Sequence, residues 1–137
     1  MTETTTEQGI STAIIVHDDR VLMIRRRERE GKLLWAFPGG GIEAGETAEE
    51  AAVRETAEEV DLKVEVIRFL GERVHPQTGR HMSYVACEVV GGEARVADEE
   101  ELAEVAWVRL DEIPGLVPWG LFVPVQEYLD ETLNPGE

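Results

Sequence analysis

Apolar, β-branched residues fill positions 9–16 (GISTAIIV) and return at 21–26 (VLMIRR), with Asp18 and Asp19 between the two runs. This pattern predicts a hairpin. Polar residues 28–32 (EREGK) then read as an exposed loop, and the apolar segment 35–37 stops at Pro38 and three consecutive glycines, Gly39, Gly40 and Gly41. Such a stop predicts a tight backbone turn. The next segment, 48–60, has helical spacing, with Thr47 as N-cap and Glu50 three residues on as the partner of a capping box. Ala48, Ala51, Ala52 and Thr56 form a stripe of small residues suited to close packing on a sheet.

Two strand-like segments follow, 63–74 and 80–90, joined by a turn-forming link at 75–79, and Gly91 and Gly92 end the second. An acidic run, 98–101, leads into an apolar segment at 105–108 around Trp107. After residues 111–114 an amphipathic stretch, 123–133, predicts a C-terminal helix. No internal repeat or interdomain linker interrupts this order. Strands on both sides of a central helix, with a second helix at the end, predict an α/β (α+β) fold with a mixed β-sheet sandwiched between helices.

Composition narrows the picture. A chain of 137 residues with 42 % hydrophobic content fits one domain, expected over 9–137 behind a disordered polar tail at 1–8. Cys87 stands alone, so neither a disulfide nor a Cys-rich metal site is available within the chain, and a small buried hydrophobe is the natural reading. The first residues lack the features of a signal peptide, and no apolar run approaches the roughly 20 residues of a membrane span. A soluble, cytoplasmic protein with no membrane partner is expected. The charge, 13 basic residues against 29 acidic for a net −16, disfavours a nucleic acid polymer as partner. A small phosphorylated substrate fits if cations and local arginines reverse the field where it binds.

Candidate chemistry sits on the central helix. At about 100° per residue, Glu55, Glu58 and Glu59 fall at about 0°, 300° and 40°, on one face. Crowded carboxylates repel, and a hard divalent cation bound through oxygen cancels the repulsion. On the cluster alone, a solvated acidic face is the competing reading.

The spacing around the cluster runs Gly40, five residues, Glu46, seven residues, Arg54 and Glu55, two residues, Glu58 and Glu59. This resembles the Nudix box, the loop-helix-loop signature of Nudix (MutT-like) hydrolases, over the 23 residues 40–62, and the preceding Phe37, Pro38, Gly39 and Gly40 are also typical. Two positions depart from the usual pattern. Thr56 replaces an aliphatic residue, with slightly weaker packing expected, and Asp61 replaces a helix-ending glycine, a place where Asp can take the left-handed conformation. Beyond the box the resemblance rests on element order and on Glu101 preceding Trp107 by six positions. A G-x-G-x-x-G or P-loop reading fails, since the glycines lack the required spacing and no Gly-Lys-Ser/Thr follows. His17, His75 and His81 read as surface or turn histidines, with contact to a substrate phosphate as the rival role for His75.

The resemblance implies that Glu55, Glu58 and Glu59, with the carbonyl of Gly39, bind one to three Mg²⁺ ions, for which Mn²⁺ can substitute. Arg54 would pair with Glu46 and position the carboxylates. Glu101, in a mobile loop, would be a further ligand or the general base, and Glu55 is the alternative base. Arg26, and with it Arg25, would contact substrate phosphates, while Trp119 and Phe122 are candidates to stack on the base, at least one of them being core instead. The implied function is Mg²⁺-dependent hydrolysis of a nucleoside triphosphate, including an oxidised one, to monophosphate and pyrophosphate. The alternatives are an ADP-ribose or nucleotide-sugar pyrophosphatase and, from another class, a non-catalytic nucleotide-sensing module. The protein would act on a small nucleotide-like substrate as a monomer or homodimer.

Overall fold

The computed structural model describes residues 8–30, 33–76 and 78–133. Strand β1 (Ile10–His17) turns back into β2 (Arg20–Glu30), with Val16 opposite Val21. Asp18 and Asp19 both take left-handed φ angles of 53° and 64°. That pair of angles matches a two-residue hairpin turn to the twist of its strands, and Asp tolerates it better than most residues. The expected loop at 28–32 is corrected in part. β2 continues to Glu30, where its backbone pairs with β3 (Leu33–Ala36), and residues 31 and 32 lie outside the described residues. Ladder bonding needs no apolar side chain, so polar composition did not end the strand.

The three glycines also differ from expectation. They form strand β4 (Gly39–Gly41), antiparallel to β1, with Thr12 opposite Gly39 and Ile10 opposite Gly41. None of the three has positive φ; the left-handed turn lies further on, at Gly45 with φ 80°. Glycine is needed here for close approach. A Cβ on Gly39 would strike the Ser11 carbonyl, and one on Gly40 would strike the Glu55 carboxylate.

Helix α1 (Ala48–Val60) begins with the expected capping box. Thr47 Oγ1 accepts from the Glu50 amide at 3.0 Å, and Glu50 Oε1 accepts from the Thr47 amide at 2.9 Å. It ends at Asp61 in the left-handed conformation, φ 57° and ψ 37°. Thr56, where weaker packing is expected, lies on the buried face of the helix. The residue is fully buried and its hydroxyl donates to the Ala52 carbonyl at 2.7 Å, so the added polarity is satisfied within the helix.

Strands β5 (Leu62–Val74) and β6 (His81–Gly92) pair antiparallel, and β7 (Leu102–Val108) pairs with β2. The sheet order is β3-β2-β1-β6-β5, with β4 beside β1 and β7 beside β2, and the β1–β6 pairing is parallel. A short helix, α2 (Ile113–Leu116), precedes α3 (Val123–Thr132). Alternation divides the core. Ala13, Ile15, Val85 and Cys87 face a cluster holding Ala52 and Val60 of α1, whereas Ile14, Tyr84 and Ala86 face Val125, Tyr128 and Leu129 of α3. A mixed sheet between helices is therefore the architecture observed.

Burial pushes the Cys87 thiol up to about 12, in keeping with a structural hydrophobe. Of the expected tail, residues 1–7 lie outside the described residues. Gln8 is tied down by Nε2 donating to the Ile42 carbonyl at 2.9 Å. Among the described residues no helix is long and apolar enough to cross a membrane.

Candidate active site

Arg54, one turn and a half into α1, organises the acidic side chains. Its Nε donates to Glu46 Oε2 at 2.7 Å and its Nη2 to Glu46 Oε1 at 2.9 Å, a two-pronged pair. Nη2 also donates to the Gly41 carbonyl at 2.9 Å, and Nη1 reaches Glu55 at 3.0 Å and Glu58 at 3.2 Å. One guanidinium thus joins β4, the loop and the helix face. Its hydrogen bonds hold the Glu46 carboxyl at about 2, far below the usual carboxylate range.

Glu59, one turn further along α1, is 5 % exposed. Its Oε1 accepts from the Gly39 amide at 3.0 Å, and its Oε2 lies 3.8 Å from Arg26 Nη1. Burial pushes its pKa up to about 7, with Arg26 and the Gly39 amide opposing. Glu55 is raised as well, again by burial, with Arg54 opposing. The Gly39 amide is directed at Glu59.

Arg26 also approaches Glu101 at 4.0 Å, so it spans from the helix to the acidic loop. Arg25 is corrected. It pairs with Glu104 at 3.0 Å across the β2–β7 ladder and is not among the residues that line the cleft. The Glu101 side chain is 62 % exposed. Its backbone is tethered, with its amide donating to Asp98 Oδ1 at 3.3 Å and its carbonyl accepting from the Arg27 amide at 2.9 Å. The loop expected to be mobile is thus fastened at its base.

These groups open onto one cleft of about 640 Å³, lined at this end by Arg26, Glu55, Glu58, Glu59 and Glu101. The other end holds Arg73, Tyr84, Trp119 and Phe122. Phe122 stacks against Tyr84 with centroids 5.1 Å apart, and both Trp119 and Phe122 pack on the α3-side core while lining the cleft. His75 is corrected: it sits at the β5–β6 turn as expected, yet it is buried and lines the cleft, and burial lowers its pKa. Arg73 and Tyr84 were not singled out in the sequence. The register of β5 against β6 shifts three times between Lys63 and Gly71, which defeats a period-two reading of which side chains face inward.

The donor set suits a hard divalent cation, since it is made of carboxylates alone and two of them, the buried Glu59 and the half-buried Glu55, have raised pKa. Among the described residues, however, no three His, Cys, Asp or Glu side chains converge at metal-ligating geometry. The carboxylates turn instead toward Arg54 and Arg26.

The family model for the NUDIX domain matches residues 7–128. Mutator protein MutT4 of Mycobacterium tuberculosis is 37 % identical over 123 residues, which cover 82 % of this chain and 47 % of that protein. An ADP-ribose pyrophosphatase of Methanocaldococcus jannaschii is 38 % identical over 107 residues, covering 75 % of this chain and 62 % of that one. The chain thus spans about half to three fifths of the length of these relatives. Among solved structures, a MutT NUDIX hydrolase from Burkholderia pseudomallei superimposes with a TM-score of 0.69 at 26 % identity, covering 94 % of this chain and 99 % of that chain. With the family model matched over nearly the whole length and the motif carried on α1 and β4, the chain belongs to the Nudix (MutT-like) hydrolase family.

Proposed function

We propose that this protein hydrolyses a pyrophosphate bond in a small nucleotide-like substrate, using Mg²⁺ held by Glu55, Glu58, Glu59 and, as a further candidate, Glu101. The observation that carries this reading is the lining of one cleft by all four carboxylates together with Arg26. A divalent ion bound there supplies charge neutralisation at the phosphates and a water of lowered pKa. The chain's own groups do the rest. Arg26 holds a substrate phosphate oxygen, Arg54 positions Glu55 and Glu58, and the Gly39 amide orients Glu59. Glu101, exposed and 4.0 Å from Arg26, would accept the proton of the attacking water; Glu55, already hydrogen-bonded to Arg54, is the alternative base. Trp119 offers a ring to the base, since Phe122 is already covered by Tyr84 and Arg73.

The preferred substrate is a nucleoside triphosphate, released as monophosphate and pyrophosphate. A second reading, cleavage of ADP-ribose or a nucleotide sugar, is favoured by the likeness to an ADP-ribose pyrophosphatase over three quarters of this chain. The same proposal treats residues 9–137 as one domain, in keeping with the matched span of the family model. A panel of nucleotides incubated with Mg²⁺, scored for pyrophosphate against orthophosphate and for monophosphate products, tests both. Hydrolysis of no member of the panel would overturn the enzymatic reading and leave a nucleotide-sensing module.

A further inference from the structure

Five arginines of the chain, Arg25, Arg26, Arg54, Arg95 and Arg109, pair with a carboxylate among the described residues, and Arg73 is not one of them. This holds in a chain where acids outnumber bases 29 to 13. Its guanidinium lies over the rings of Phe122 and Tyr84, 4.9 and 5.6 Å from their centroids, and Nε donates to the Tyr84 hydroxyl at 3.2 Å. Those contacts fix the plane of the group and use one of its five donors. The terminal fork of four N–H donors has no protein acceptor among the described residues, and it lines the cleft. Because the Tyr84 oxygen accepts from Arg73, its own proton is also available to an incoming acceptor.

Strand register gives the distance from the acidic end. Gly41 lies opposite Ile10, Ile10 opposite Met82, and Met82 opposite Arg73. Three strand spacings therefore separate the backbone of Arg73 from that of β4, about 14 Å. A substrate whose pyrophosphate sits beside Glu55 and Glu59 presents its nucleoside, and not its scissile phosphates, to Arg73. A neutral hydroxyl or base carbonyl would satisfy one donor and leave the charge uncompensated on two ring faces. A phosphomonoester matches the planar fork with two oxygens and supplies the missing charge.

Building on the pyrophosphate-hydrolase reading, we propose that Arg73 is a specificity-determining residue that binds a phosphate on the ribose of the substrate's nucleoside, so that the favoured substrates are nucleotide pyrophosphates phosphorylated at the sugar.

The test separates binding from turnover. With metal chelated, the fluorescence of Trp35 and Trp119 in the cleft reports the binding of AMP, adenosine 2′,5′-bisphosphate and adenosine 3′,5′-bisphosphate. At least one bisphosphate is expected to bind roughly tenfold or more tightly than AMP, Arg73→Ala to erase that advantage, and Arg73→Lys to retain part of it. Arg73→Gln, which keeps a planar group over the rings, replaces the alanine variant if that one does not fold. Both bisphosphates within about threefold of AMP, or an advantage that survives loss of the arginine, would overturn the assignment. Hydrolysis of NADPH and NADH with Mg²⁺ forms the second arm. A binding advantage in a protein that hydrolyses neither dinucleotide nor any member of the nucleotide panel sinks the enzymatic reading and leaves Arg73 assigned; hydrolysis of both at equal kcat/KM, unchanged in Arg73→Gln, does the reverse.

Discussion

The Gly39 amide donates to Glu59 Oε1 at 3.0 Å, so β4 is fastened to the last turns of α1 through one of the carboxylates proposed to hold a metal. Loop and helix are thereby held in one arrangement before any ion arrives.

That carboxylate makes the metal-free protein sensitive to pH. Its pKa stands at about 7 when folded against 4.5 in the unfolded chain, so between those values the folded state holds a proton the unfolded state has released. Stability is highest below the lower value and falls as pH rises through the upper one, at up to about 1.4 kcal/mol per pH unit. Urea unfolding of chelated protein at about pH 5 and about pH 8 should show this fall, and Glu59→Gln should reduce it. Glu46 acts outside this window, since its depressed pKa matters only as pH drops from 4.5 toward about 2. An identical fall in the variant would remove Glu59 as its source.

Millimolar Mg²⁺ or Mn²⁺ should raise the melting temperature more than NaCl of matched ionic strength, because binding relieves the crowding of Glu55, Glu58 and Glu59 only in the folded state. Equal shifts from the two salts would mean a solvated acidic face.

Glu58→Gln is expected to leave the melting temperature nearly unchanged, since the side chain is 59 % exposed. Turnover should fall by at least roughly ten- to a hundredfold, the usual loss when even the partners of metal ligands are removed. Near-normal turnover at saturating Mg²⁺ would take Glu58 out of the metal site.

For the choice of base, Glu101→Gln should lower kcat by roughly 10² to 10⁴ with little change in metal affinity. Recovery on adding Mn²⁺ would instead make it a ligand. Glu104→Gln is the cleanest control, as Glu104 pairs with Arg25 away from the cleft. If substitutions at Glu99, Glu100, Glu101 and Glu104 all have small and equal effects, the role returns to Glu55.

The two glycine substitutions should fail differently. A methyl group on Gly39 meets the Ser11 backbone, which cannot move aside, so Gly39→Ala should destabilise by about 1–3 kcal/mol in chemical unfolding. On Gly40 it meets the end of the flexible Glu55 side chain, so Gly40→Ala should weaken Mg²⁺ binding more than stability. The opposite order in calorimetry and metal titration would count against close approach as the reason for these glycines.

Much of this was legible in the sequence where spacing along one helix fixes geometry. The Thr47–Glu50 capping box and the Asp61 terminus follow from local offsets, and the Arg54–Glu46 pair from the resemblance to the Nudix box. The glycine run was legible as a break and not as a strand, because its partner, β1, lies far away in sequence. Arg25 and Arg26 look alike in composition, and only the ladder with β7 shows that one faces Glu104 and the other the cleft. Arg73 was invisible for a related reason, since each bulge in β5 resets which side chains point inward.

The parallel pairing of β1 with β6 has a kinetic consequence. Ile10 meets Met82 across 72 positions of chain, and the central strand cannot complete its ladder until that distant partner exists. The β1–β2 hairpin and α1 can form early from local contacts, but closing so large a loop comes late and is slow. During synthesis the emerging polypeptide therefore carries an unpaired, strongly apolar strand edge through most of its length, and the carboxylate-lined groove takes shape only after β6 arrives.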